Sequence, residues 1–216
     1  MHHGVYIGEA AAGNTRILIL GESHHNGKND EAGKPASYTT NSVIETYLSD
    51  EKTPRNLQIF HKIARSFGVD TTKAEEKKAF WDKIYFGNYI DVLCGVKNNA
   101  AKKLVADREK RKKCNQELFQ FVNKNKIDII CCFSRLVYNN LPARTPFEDK
   151  ATFINVPKTG GRRDWIEKFI YKPGTRANGD IALEKHLVVY SFRHPSARCG
   201  FCPEHYQDYL QKEIGF

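Results

Sequence analysis

Three short clusters in this 216-residue chain carry side chains that can do chemistry. The first is Gly21-Glu22-Ser23-His24-His25, where a carboxylate, a hydroxyl and two imidazoles follow a glycine. The second, Phe86-Gly87-Asn88-Tyr89, sets an amide in an otherwise apolar run, where an apolar residue would be cheaper to bury. The third is Arg193-His194-Pro195-Ser196, continued by Ala197-Arg198-Cys199-Gly200-Phe201. Carboxylates and imidazoles move protons near neutral pH, an amide offers a donor beside an acceptor, and a positioned imidazole stabilises developing negative charge. Each residue also has a plainer reading. A histidine after a strand is usually a hydrogen-bonded loop residue, and Asn88 can satisfy a neighbouring backbone group. Ser196 can cap a turn, and Glu22 can be one half of a buried ion pair.

What lifts the clusters above those readings is where the elements put them. Residues 16–20 (RILIL), 127–133 (IDIICCF) and 187–192 (LVVYSF) are short, nearly continuous apolar runs, the signature of strands buried on both faces. Residues 85–93 (YFGNYIDVL) read as a fourth strand, and 151–156 as an edge strand. Between them the apolar period lengthens to that of helices. Thr53-Pro54 opens one, with Leu57, Phe60, Ile63, Ala64 and Phe67 on one face and Gly68 as its stop. Further helical patterns cover 71–84, 100–125, 134–141 and 203–214, and another follows Gly160-Gly161-Arg162-Arg163. Strands alternating with helices predict a three-layer α/β/α domain with a central, mostly parallel four-stranded sheet, spanning residues 1–216 as one unit. Parallel strands bring their carboxyl ends to one edge, so the three clusters are expected to meet there.

Composition narrows the class. Forty per cent of residues are hydrophobic and 12% aromatic, which excludes disordered and fibrous chains. No apolar run approaches the roughly 20 residues that cross a bilayer, and the start lacks the basic flank and apolar core of a secretory signal. Six cysteines without such a signal fit reduced thiols, so a cytoplasmic location is expected. A net charge of +9 favours polyanionic partners by Coulomb steering and counterion release.

The strand running into GES at 21–23, the Asn88 of FGNYID and the strand running into HPS at 194–196 resemble the uracil-DNA glycosylase superfamily. Residues 80–91 (FWDKIYFGNYID) and 127–142 (IDIICCFSRLVYNNLP) are similar to its divergent members, so the likeness runs from about residue 16 to the end. The resemblance implies excision of a deaminated base, uracil foremost, from single- or double-stranded DNA by a monomer without cofactor or metal. The target nucleotide must leave the stack to be reached. By that likeness Asn88 reads the base edge and His194 donates to the base carbonyl as charge develops, while Glu22 or Ser23 places the water. Gly21, His24, His25 and Ser196 complete the motifs, and Tyr38 or Phe86 supplies a flat face for the base. The loop after His194 would enter the duplex, with Arg198 on a phosphate and Phe201 as a wedge. Arg162 and Arg163 would hold the backbone, aided by the start of the helix expected after them.

The sequence departs from the family at the first motif. Better-known members carry Asp or Asn where this chain has Ser23, and Pro where it has His24. A serine hydroxyl is a poor base without a strong activating partner. A non-catalytic nucleic-acid-binding module on the same scaffold is therefore the rival reading. Cys199-Gly200-Phe201-Cys202 is a CxxC, which opens a third reading as a thiol protein. With His205 it supplies three zinc ligands and no clear fourth, and no early cysteine pair announces an iron–sulfur cluster.

Overall fold

All four apolar runs form strands, and they lie side by side. The computed structural model describes residues 4–25, 39–49, 55–94, 100–142, 152–155, 165–177, 179–196 and 201–215. Its strands in chain order are β1 (Tyr6–Ile7), β2 (Ile17–His25), β3 (Ile84–Cys94), β4 (Ile129–Cys132) and β5 (Thr152–Asn155). They continue with β6 (Trp165–Tyr171), β7 (Arg176–Ala177), β8 (Ile181–Ala182) and β9 (Leu187–Ser191). The helices are α1 (Thr40–Ser49), α2 (Gln58–Ser66), α3 (Ala74–Trp81), α4 (Ala100–Ala106), α5 (Arg108–Asn125), α6 (Arg135–Asn140) and α7 (Glu204–Ile214).

The fold is mixed α/β around a central sheet ordered β1-β3-β2-β4-β9-β6-β5, with β7 and β8 paired antiparallel apart from it. Its middle four strands, β3, β2, β4 and β9, are mutually parallel. The expected four-stranded sheet is thus the centre of a seven-stranded one. β1 adds antiparallel to β3 on one side, and β6 and β5 add antiparallel beyond β9 on the other. The helix expected after Arg163 does not exist. Ile166, Phe169 and Ile170 recur at helical spacing, yet the segment pairs with Leu187–Ser191 as strand β6. No helix start therefore adds its dipole at that position.

β2 shows how the sheet divides the core. Ile17 and Ile19 belong to a buried cluster with residues of α1, α2, α3 and α7, whereas Leu18 and Leu20 belong to one with α4, α5 and α6. Alternation along a strand does this, because successive side chains leave on opposite faces. Each fully buried Leu or Ile contributes about 1.5–3 kcal/mol relative to exposure, an upper estimate since the unfolded chain is partly compact.

Local chemistry sets the helix ends. Gly68, at φ +83°, follows the turn after α2 in a left-handed conformation open to glycine. Residues 100–125, expected as one long helix or two, form two, because Asp107 caps α5, accepting from Glu109 N at 3.1 Å and Lys110 N at 3.2 Å. Ser134 caps α6 through Val137 N at 3.3 Å. The Thr53-Pro54 start lies outside the described residues.

Candidate functional site

The first cluster is not a loop after a strand. β2 runs straight through Gly21 and Glu22, with an irregularity in its pairing between Ser23 and His24. Gly21 pairs with Asn88 of β3, and Ser23 with Ile90. A Cβ added to Gly21 would collide with Asn88 Oδ1 and sit 3.3 Å from Phe86 Cζ. The Asn88 side chain therefore lies across Gly21, in space that only a glycine leaves open. This explains a half-buried amide in the middle of a sheet: β2 offers it a flat floor.

On the far side of the parallel set, His194 follows β9 through Phe192 and Arg193. Its Nδ1 faces Ser196, at 3.2 Å from the backbone N and 2.7 Å from Oγ. A backbone N–H can only donate, so Nδ1 must accept, and the neutral ring carries its proton on Nε2. Nε2–H is then the donor of the neutral ring. The carbonyl of Pro195 accepts from Lys62 Nζ of α2 at 2.9 Å, which ties this turn to the helix beside it.

Between these strands β4 ends at Cys132, and Phe133 N donates to Leu20 O at 3.0 Å. Phe133 stacks on Phe192 with centroids 4.7 Å apart and an interplanar angle of 20°. Phe86, Phe133 and Phe192 share the buried cluster on one face of the sheet, the face on which the Asn88 amide crosses Gly21. The register of the four parallel strands thus sets Gly21 and Asn88, mid-strand in β2 and β3, one residue beyond the level at which β4 and β9 end and lead on to Ser134 and the His194 turn.

Glu22 goes the other way. Alternation sends it to the face of Leu18 and Leu20, where its carboxylate accepts from Ser134 Oγ at 2.6 Å. It sits among thiols there. Burial pushes the Cys132 thiol up to about 12 and raises that of Cys94, and the charge of Glu22 adds to both. The structure separates Glu22 from Asn88 by the thickness of the sheet and gives its carboxylate a helix-capping hydroxyl as partner. Ser23 Oγ is buried and makes no well-formed hydrogen bond among the described residues; the Cys94 thiol is its neighbour.

Two aromatic expectations change. Phe86 is 3% exposed and packs edge-to-face on Phe60 and Trp81, so it is core beneath the site and not an open stacking face. Phe201 is 7% exposed and stacked on Tyr206, so it does not project as a duplex wedge. The backbone of His24 and His25 continues β2 opposite Leu93 and Cys94. Ser196 is exposed. Tyr38, Arg162, Arg163 and Arg198 lie outside the described residues.

The CxxC loses its activation. Cys202 donates its thiol to Glu204 at 3.1 Å, and burial together with that carboxylate raises its pKa, the opposite of what a reactive thiolate needs. Cys199 lies outside the described residues. Among the described residues no group of three or more His, Cys, Asp or Glu side chains could hold a metal ion, and no helix is long and apolar enough to cross a membrane.

Lys62, Phe133 and Ser134 were missed as site residues by sequence reasoning. Ser134 carried a signal, a helix-capping residue directly after an apolar strand. Lys62 carried none, being 133 residues away from its partner. No protein-family model matches the chain, and no curated protein matches its sequence.

Proposed function

We propose that the chain is a DNA glycosylase-like hydrolase on a three-layer α/β/α scaffold, acting in a reducing, intracellular compartment as a monomer. It flips a deaminated base, uracil foremost, out of DNA and cleaves its N-glycosidic bond, leaving an abasic site. Asn88 reads the base edge with its donor and acceptor. His194 donates from Nε2 to the base carbonyl as the departing base gathers negative charge. Water adds its hydroxyl to the sugar carbon, and its proton ends on the released base. No metal or organic cofactor is required by this chemistry. The observation that carries the reading is the Ser196 N–H held to His194 Nδ1 at 3.2 Å, which makes Nε2–H the donor of the neutral ring.

One observation favours a second reading. The carboxylate of Glu22 is committed to Ser134 on the opposite face of the sheet from Asn88, so the first motif supplies no carboxylate to place water beside Asn88. That arrangement suits a module that captures a base without excising it.

Single- and double-stranded oligonucleotides containing uracil, treated with the protein and then alkali, separate the two. Strand scission that falls by roughly 100-fold or more in His194→Ala, with salt-sensitive DNA binding retained, supports the hydrolase. Binding with no scission across uracil, hypoxanthine and mismatched bases replaces it with the capture module.

A further inference from the structure

We propose that Lys62 is a positioning residue for His194, acting through the peptide unit between Pro195 and Ser196; its use in catalysis rests on the reading of His194 given above. Two hydrogen bonds meet on that one unit. Lys62 Nζ donates to its carbonyl, Pro195 O, at 2.9 Å, and its N–H, on Ser196, donates to His194 Nδ1 at 3.2 Å. No peptide bond among the described residues is cis, so the C=O and N–H of this unit point in opposite directions. The ammonium, the peptide and the imidazole therefore form a single line of donors and acceptors. It starts on a helix 133 residues earlier in the chain and ends on the proton that His194 presents.

Charge gives this line a direction. An ammonium on the carbonyl oxygen draws electron density along the peptide and makes its N–H a stronger donor. A stronger donor at Nδ1 disfavours protonation there and holds the ring as its Nε2–H tautomer. It also makes that N–H a better donor to a developing anion. Lys62 thus fixes both the turn and the ring's proton.

Two other charged groups of the described residues stand apart from this line. Arg65, one helical turn further along α2, pairs with Glu204 at the start of α7. Arg193, next to His194 in the chain, lies before the peptide unit that joins the two hydrogen bonds. Lys62 itself is half-buried, so solvent screens its charge only in part.

The test reads His194 in the free protein and then reads excision. Nitrogen-15 spectra of the imidazole in the unsubstituted protein should show the Nε2–H tautomer. Lys62→Met should bind a proton at this ring roughly three to ten times more tightly and raise the share of the Nδ1–H form, with Lys62→Arg restoring both. A dominant Nδ1–H tautomer in the unsubstituted protein overturns the proposal, whatever the variants do. So does a ring unmoved in a folded Lys62→Met. On uracil-containing DNA, Lys62→Met should slow single-turnover excision about tenfold with little change in DNA affinity, and Lys62→Arg should recover most of it. If the ring responds as expected but the unsubstituted protein excises nothing, the hydrolase reading fails and the relay stands. If excision is present and Lys62→Met leaves it unchanged, the relay has no part in the reaction.

Discussion

Gly21→Ala is the sharpest structural test of the site, because one methyl group decides it. The added Cβ would overlap Asn88 Oδ1, lie 3.5 Å from Asn88 Cγ and 3.3 Å from Phe86 Cζ. The strand is buried here and flanked on both sides, so the backbone has little room to retreat. Overpacking of this kind costs about 1–3 kcal/mol, offset by roughly 0.5–1 kcal/mol because alanine loses less backbone entropy than glycine in a strand. The net expectation is a loss of about 1–2 kcal/mol, or roughly 2–8 °C in melting temperature for a chain of this size. In an Asn88→Ala background the colliding atoms are gone and only the Phe86 contact remains. The same substitution should then fall within about 0.5 kcal/mol of neutral, giving a coupling energy of about 1–2 kcal/mol. Urea unfolding of the four proteins measures it. An equal cost of Gly21→Ala in both backgrounds would refute the claim that the Asn88 amide rests on this glycine.

Two further outcomes follow from named contacts. Ser134→Ala removes the α6 cap together with the partner of Glu22 and should cost about 1–3 kcal/mol in urea midpoint analysis. Glu22→Gln keeps an acceptor oxygen and should leave excision within about threefold; a loss of 100-fold or more would return this carboxylate to the reaction. Glu213 accepts from Lys168 at 2.9 Å, and that bond, opposed by burial, holds its carboxyl below the ordinary value of 4.5. A depressed acid contributes stability above 4.5 and loses it as pH falls through its lower folded value. Both side chains are about a third exposed, so Lys168→Met should cost less than about 1 kcal/mol at pH 7. The two unfolding curves should converge as pH falls from 4.5 through the lowered folded value, below which the carboxyl is protonated in both; a constant gap would remove the linkage.

The central strands were legible because each is buried on both faces, and apolar runs such as RILIL and LVVYSF leave no other place for so many large side chains. The helices of α2 and α7 were legible from their periodic apolar positions. β6 was not. Its Ile166, Phe169 and Ile170 fall at helical spacing, and the segment is a strand because it can pair with the free side of β9, a contact 20 residues on that no local period encodes. Its Glu167 is buried near Arg135, 3.8 Å away, another partner set by tertiary structure. α1 is faint in the sequence because Val43, Ile44 and Thr46 are weak helix formers. A cap signal was nevertheless present: Thr39 Oγ1 accepts from Ser42 N at 3.2 Å while Ser42 Oγ accepts from Thr39 N at 3.1 Å. In the site, the residue types at Asn88 and His194 were visible, whereas Lys62 was invisible at 133 residues' separation.

The choice between excision and capture comes down to a period of two. In a loop, Glu22 and Ser23 could both have turned toward Asn88, and either could have held a water there. Because β2 instead stays extended through Glu22, Gly21 and Glu22 are assigned to opposite faces, and the carboxylate is drawn to Ser134 and the buried thiols. Only a shift of register would bring it round, and register is fixed by Leu18 and Leu20 packing in one core cluster and Ile17 and Ile19 in the other. On the proposed reading, excision would therefore lean on stabilising the departing base through His194 more than on activating water at the first motif. That predicts an enzyme whose rate is steeply sensitive to His194 and Lys62 and nearly insensitive to Glu22, a ranking that no carboxylate-driven hydrolase would give.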